Sequence, residues 1–217
     1  MCKRMDNMAP SKAINSEIEI TVLIEDKPAP ADGDIPSKLK YEHGLSFFIR
    51  TGTVNFLFDA GQSRNFAVNA EKIGIDLTAA DFAVISHGHY DHGGGIAGFL
   101  ELNSSAPVYL HEKAGLPIYF SRKAAAKEDY IGLPQKPFSD FPERFTYISS
   151  HSQAAPGIHI LCCSRISDRS PIFKNESFFN RDENGEHEET FIHEIFVVIE
   201  RETDFTLITV CSHSNII

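Results

Sequence analysis

Hydrophobic and polar positions alternate from the first regular stretch of the chain. "EIEITVLIE" from Glu17 sets Ile18, Ile20 and Val22 against polar neighbours, the period-two pattern of a half-buried strand. Pro28, Pro30, Gly33 and Pro36 then interrupt regular structure. "GLSFFIRTGTVNFLFDAG" predicts two strands joined by a hairpin at Thr51-Gly52, the second closing on Asp59. Ser63 is placed to cap a helix in which Phe66, Ala70 and Ile73 recur at helical spacing, and Gly74 stops it. "DFAVIS" predicts a short apolar strand, "GGGIAGFLELN" a short helix with Ile96, Phe99 and Leu100 on one face, and "PVYLHE" another strand. The segment from Ala114 to Pro142 carries Pro117, Pro134, Pro137 and Pro142 among aromatics, the composition of an insertion or lid outside the core. "RFTYIS" and "GIHILCC" are β-rich, and "RDENGEHEE", with five carboxylates in nine residues, suits a solvated loop. "HEIFVVIERETDFTLITVCSHSN" predicts a hairpin turning at "RETD". Strands before and after helices, in two groups, suggest an α/β sandwich over a Rossmann sheet.

Composition narrows the class. A chain of 217 residues, 42% hydrophobic and 23% charged, suffices for one domain, expected over residues 17–217 behind a flexible segment 1–16, with the insertion at about 114–142. A net charge of −10 and a pI near 5.4 exclude a nucleic-acid partner held through its phosphates and favour a small molecule. Cys2, Cys162, Cys163 and Cys211 form no disulfide framework, which points to a reducing compartment. The first sixteen residues lack the apolar stretch of a signal peptide, and "IFVVI" falls far short of the roughly 20 residues of a membrane span. The expectation is a soluble cytoplasmic protein with no membrane partner.

One segment changes the picture: "SHGHYDHGGG", Ser86 to Gly95, holds three imidazoles, a carboxylate and three consecutive glycines directly after an apolar strand. Histidine with carboxylate is the donor set of hydrolytic zinc or iron. In an extended segment His87 and His89 share a face, while Asp91 and His92 begin the next turn and reach towards a second ion. Gly88 leaves room between ligands, and Gly93 to Gly95 are expected to supply backbone angles that other residues resist. A phosphate cradle fits poorly, since neither the P-loop lysine nor the G-x-G-x-x-G spacing is present. His43 and His111 sit at strand ends within possible reach of a pocket. No role follows for His151, His159, His187 or His193, one of the adjacent Cys162 and Cys163 is expected to be buried, and Cys211 is expected behind the ligands.

"HGHYDH" resembles the His-x-His-x-Asp-His motif of the metallo-β-lactamase superfamily, and "NFLFDAG" resembles that superfamily's strand ending in a structural Asp, here Asp59. "HGLSFFIRTG", "ISHGHYDHGGG" and "VCSHSNII" further resemble its dihydropterin and ribofuranosylaminobenzene-phosphate synthase-like branch, over roughly Ile18 to Ile217. The resemblance implies a four-layer αββα sandwich, His87 and His89 on a first metal, Asp91 and His92 on a second, and His213 completing a site from the far hairpin. His213 also follows a β-rich run at a strand end, where a loop can face the earlier one. The chain departs in having Val210 and Asn215 where the late motif carries glycines. The family continues into a helix, a strand and a late Gly-Gly-x-His, whereas this sequence stops at Ile217. A sandwich lacking its last strand and helix is therefore expected, with one or two ions and exposed apolar surface suited to a homodimer. The implied activity is a metal-dependent hydrolase using a metal-bound hydroxide on an ester or phosphoester, with zinc the expected divalent metal and iron or manganese as alternatives. Asp91 is its catalytic carboxylate. Tyr119, Phe120 and Tyr130 are placed to shape a pocket, and Arg122 and Lys123 to meet an anionic small-molecule substrate. A transferase of the branch's namesake type, and a truncated, non-catalytic metal-binding protein, are the alternatives.

Overall fold

The computed structural model describes residues 14, 17–30, 39–122, 127–162, 178–182 and 184–213. The chain opens with β1 (Glu19–Ile24), β2 (Ser46–Arg50) and β3 (Asn55–Phe58), followed by α1 (Asn65–Lys72), β4 (Phe82–Val84), α2 (Tyr90–Gly93), α3 (Ile96–Leu102) and β5 (Val108–His111). Next come β6 (Ile118–Arg122), β7 (Lys127–Tyr130), α4 (Lys136–Asp140), β8 (Phe145–Ile148), β9 (Ser152–Ala155) and β10 (Ile158–Cys162). The hairpins β11 (Phe178–Asp182) with β12 (Gly185–Glu188) and β13 (Ile195–Glu200) with β14 (Phe205–Ile208) complete it.

Three sheets result. The first has six strands in the order β1-β2-β3-β4-β5-β8, antiparallel as far as β3 and parallel from there. Its central strands are apolar on both faces, as a sheet covered on both sides requires. Leu57, Ala83, Val108 and Leu110 face Phe66 and Ala70 of α1 and Ile96, Phe99 and Leu100 of α3. Phe56, Phe58, Phe82 and Val84 face the other way, onto Ile158 and Ile160 of β10 and Ile195, Val197 and Ile199 of β13. The Phe56 and Phe82 rings stack across the parallel register with centroids 4.8 Å apart. The second sheet runs β14-β13-β10-β9, and the third, β12-β11-β6-β7, is a separate sheet.

The layering is thus helix, sheet, sheet, the mixed α/β sandwich expected. Among the described residues no helix covers the outer face of the second sheet, so the fourth layer of an αββα sandwich is not seen in them. None of the described helices is long and apolar enough to cross a membrane.

Several local expectations need correction. Ile20 and Val22 are 44% and 48% exposed, while Leu23 and Ile24 are buried. β1 is an edge strand whose pairing with β2 shifts register between Val22 and Ile24, which turns two consecutive side chains inwards. Helix α1 begins one residue later than a Ser63 cap requires; Ser63 Oγ instead donates to Glu42 and accepts the Asn65 amide. The acidic stretch is the β11–β12 hairpin, not a loop, and its Glu189 is buried. The segment expected as an insertion or lid contributes to the core at Ala114, Ile118 and Leu133, which are buried where its described residues fold back against the histidine loop. Ile14, in the segment expected to be flexible, is also buried, bridging to Arg201 beside β13.

Candidate metal centre

The histidine loop leaves the C-terminal end of β4 in the middle of the parallel part of the first sheet, where an adjacent loop can meet it. Asp59, at the end of neighbouring β3, sits at φ 58° and is fully buried. One oxygen of its carboxylate accepts the Ser86 amide at 2.7 Å, and the other accepts the Ser86 hydroxyl and meets His92 Nδ1, each at 2.7 Å. Ser86 Oγ in turn lies 2.9 Å from His87 Nδ1. One buried carboxylate therefore fixes two imidazoles through their Nδ1 atoms and leaves each Nε2 to face the cluster, the arrangement in which an outer carboxylate orients a ligating histidine.

The glycines serve closeness, not unusual angles. Gly94 and Gly95 have ordinary right-handed φ values of −60° and −80°. A Cβ on Gly95 would sit 2.2 Å from the Ala60 carbonyl oxygen and 2.3 Å from that of Ser63. The Gly95 amide donates to the Gly61 carbonyl at 3.0 Å, so the start of α3 lies directly on the loop after β3. The segment after β5 holds the other side: the Tyr90 amide donates to the Ile131 carbonyl at 2.9 Å.

Five histidines converge. His87 Nε2 lies 3.1 Å from His89 Nδ1, and the His213 ring is 5.0 Å, centroid to centroid, from those of both His87 and His89. Donor atoms of His87, His89 and His213 all lie within 4.8 Å of one another, and so do those of His87, His92 and Cys211. Asp91 Oδ2 is 3.3 Å from His92 Nε2 and 3.5 Å from His43 Nε2. The predicted residues His87, His89, Asp91, His92 and His213 are thus brought together from two loops over a hundred residues apart. The His213 amide donates to Glu194 at 3.0 Å, and its ring stacks on Phe191 at 4.5 Å, which fixes its approach.

Sequence reasoning missed His193. Its Nδ1 accepts the Gly88 amide at 3.0 Å, its Nε2 lies 3.4 Å from Glu189, and its ring is 5.9 Å from that of His89. Nothing in "TFIHEIF" distinguishes this histidine from an ordinary one before a strand; the tie between the Ile195 amide and the Ser86 carbonyl brings it in. His111 accepts the Lys113 amide, and His151 and His159 bond to each other. Phe120 packs on Phe178, which stacks on His89, giving the cluster an aromatic wall; the Arg122 side chain and Lys123 lie outside the described residues.

The electrostatics suit cation binding. Burial, reinforced by neighbouring imidazoles, holds His87 well below the ordinary histidine value, His89 down at about 3, and His213 below it too. These rings are neutral donors at neutral pH. At His92 burial acts the same way but is overcome by Asp59, Asp91 and Cys211, which push its pKa up to about 12. Burial also opposes ionisation of Asp91, yet the hydrogen bond and charge of His92 hold its carboxyl below the ordinary value. The Nε2 atoms of His89 and His213 are buried with no hydrogen-bond partner among the described residues. An orphaned polar atom costs free energy, and two beside the neutral His87 imidazole fit a bound cation.

Comparison with known proteins agrees. Residues 40–191 match the family model of the metallo-beta-lactamase superfamily. The chain is 33% identical over 76 residues to the 7,8-dihydropterin-6-methyl-4-(beta-D-ribofuranosyl)-aminobenzene-5'-phosphate synthase of Methanocaldococcus jannaschii, covering 32% of this chain and 26% of that protein. It is 37% identical over 114 residues to a protein of Bacillus subtilis named as a probable metallo-hydrolase, covering 46% of this chain and 39% of the other. The chain thus matches well under half the length of either relative. A crystal structure of a metal-dependent hydrolase of the beta-lactamase superfamily superposes with a TM-score of 0.71 at 26% identity, covering 92% of this chain and 68% of that one. Since the family match takes in β2 to β12, with the Asp59 strand and the whole histidine loop, this chain belongs to the metallo-beta-lactamase superfamily.

Proposed function

We propose that the chain is a metal-dependent hydrolase that cleaves a small-molecule ester or phosphoester. The observation that carries this reading is the pair of buried, unpartnered Nε2 atoms of His89 and His213 beside His87. The likeness to a metal-dependent hydrolase over 92% of the chain supports it. His87, His89 and His213 would hold a divalent ion, with zinc favoured by three imidazole donors. When bound, such an ion supplies Lewis acidity, activating water near neutral pH and polarising the substrate's oxygen.

The chain's own residues supply the rest. Asp59 holds His92 and, through Ser86, His87 in fixed orientation, so that little rearrangement is needed on binding. Asp91, kept ionised by His92, is an acceptor at the edge of the cluster and serves as the general base that takes a proton from the attacking water. His43, exposed and 3.5 Å from Asp91, gives that proton a route to solvent. Phe178 and Phe191 screen His89 from bulk water, which strengthens charge interactions inside.

The test is elemental analysis of the purified chain alongside assays on aryl ester and phosphodiester substrates, for wild type, His89→Ala and Asp91→Asn. Bound zinc with turnover in wild type is expected. His89→Ala should lose both, and Asp91→Asn should keep metal while kcat falls about 100-fold or more. Absence of metal from wild type after zinc loading, or turnover undiminished in His89→Ala, would overturn the reading.

A further inference from the structure

We propose that Glu189 is the positioning residue for the part of the metal centre that Asp59 does not hold: its buried carboxylate sets the Phe191 ring against His213 and, through His193, the Gly88 amide beside His89. This rests on the metal-dependent reading above and deepens it, since it assigns what keeps the far hairpin's ligand in place before an ion arrives.

The exposed strand β12 ends at Glu188, and the next residue turns inwards. The Glu189 side chain is 2% exposed, and its backbone amide donates to the Phe178 carbonyl at 3.2 Å, at the start of β11. A buried carboxylate is costly unless it is paired and hydrogen-bonded. Here Oε1 accepts the Phe191 amide at 2.7 Å, the length of a charge-assisted bond, and Oε2 accepts Asn180 Nδ2 at 3.4 Å. The hook accompanies a backbone that phenylalanine resists: Phe191 sits at φ 54°, in the left-handed region, where a bulky residue stays only if its surroundings hold it. Its buried ring then stacks on His213, with centroids 4.5 Å apart and planes 14° from parallel. Release of the amide would let the backbone relax and carry the ring off His213.

The second arm runs through His193. Its Nδ1 accepts the Gly88 amide at 3.0 Å, so the ring proton is on Nε2, which faces Glu189 Oε1 across 3.4 Å. A backbone donor on one nitrogen and a carboxylate on the other fix both tautomer and ring orientation. Gly88 lies between His87 and His89, and a Cβ there would sit 2.6 Å from the Ala114 carbonyl oxygen, so its peptide is confined from both sides. Both rings so served, His213 through Phe191 and His89 through Gly88, carry a buried Nε2 with no partner among the described residues. Neither has a hydrogen bond at that atom to steady it in the metal-free chain, which leaves the task to what packs behind them.

Cobalt(II) tests this in the full chain. The metal-free protein is titrated with cobalt, reading affinity and, at saturation, the position and intensity of the visible ligand-field bands, for wild type, Glu189→Ala and Glu189→Gln. Glu189→Ala should bind about 10-fold or more weakly, the low end of what losing an outer partner costs, with bands altered even at full occupancy. Glu189→Gln keeps an oxygen for the Phe191 amide but lacks the charge that faces His193, and should fall between Glu189→Ala and wild type in both readouts. A role in stability alone would lower the urea midpoint of Glu189→Ala while leaving its affinity and saturated bands as in wild type. That result, or a Glu189→Gln no better than Glu189→Ala, would overturn the proposal and leave the hydrolase reading standing. Failure of wild type to bind any cobalt or zinc would overturn both. Amide hydrogen exchange in the metal-free wild type needs no variant: the Phe191 and Gly88 amides should be protected, and free exchange at either would overturn the proposal even if Glu189→Ala does not fold.

Discussion

Asp59 shows how much one side chain can organise. Its carboxylate is fully buried, accepts from the Ser86 amide and hydroxyl, and holds His92 Nδ1 at 2.7 Å. A buried carboxylate with all its near partners supplied is stable; one deprived of charge loses its charge-assisted bonds while keeping its shape. Asp59→Asn should therefore weaken zinc binding about 10- to 100-fold, since both His92 and, through Ser86, His87 lose their orienting partner. Competition with a chromophoric chelator measures it, and an unchanged zinc affinity would remove Asp59 from the role given to it. His193 and Glu189 form a comparable pair on the opposite side, fixing the Gly88 amide between two ligands.

At the scale of elements, the site depends on how closely loop and strand approach. α3 begins against the loop after β3, and the Gly95 contacts with the Ala60 and Ser63 carbonyls leave no space for a methyl group. Gly95→Ala should destabilise the chain by about 1–3 kcal/mol or more, because carbonyl oxygens of packed backbone cannot swing aside as a flexible side chain can. Urea unfolding would register it as a lower midpoint with an unchanged slope, and a stability equal to wild type would show that α3 can shift without cost. The third sheet behaves differently: its β12 strand is exposed throughout, while β11 carries Phe178 to the wall beside His89. Its hairpin thus ties a solvated edge to the floor of the site.

For the whole molecule, the buried imidazoles make stability depend on pH and metal together. His89 is held at about 3, so between pH 3 and the ordinary 6.5 the unfolded chain takes up a proton that the folded chain refuses. Stability of the metal-free protein therefore falls as pH drops below 6.5, with His87 and His213 adding in the same direction. His92, raised from 6.5 to about 12, works oppositely: its contribution is complete below 6.5 and declines as pH rises towards 12. The metal-free melting temperature should peak near pH 6.5, declining on both sides, when scanned over about pH 4 to 9. Zinc at 100 times its Kd should add about 2.7 kcal/mol, a gain that shrinks on the acid side as protons compete for the same nitrogens. A metal-free profile flat from neutrality to pH 4 would contradict the buried, neutral histidines.

The sequence by itself determined the strands from β2 to β5, the β13–β14 hairpin and the cluster of His87, His89, Asp91 and His92. All of these rest on local signals: period-two or continuous apolar runs, turn residues, and donors packed into six positions. Only tertiary structure decided which face of β1 is buried, because a register shift at an edge strand overrides the alternation that Ile20 and Val22 display. It also decided that Ala114, Ile118 and Leu133 pack in the core, where the prolines and aromatics of 114–142 suggested an insertion or lid, and that the Gly93 to Gly95 run answers to backbone crowding, where dihedral freedom was expected. His193 joins the cluster for the same reason that it was illegible, and Cys211, expected behind the ligands, lies against His92. Their positions come from hydrogen bonds and chain turns between segments over a hundred residues apart, and no local pattern of hydrophobic and polar residues encodes such a meeting.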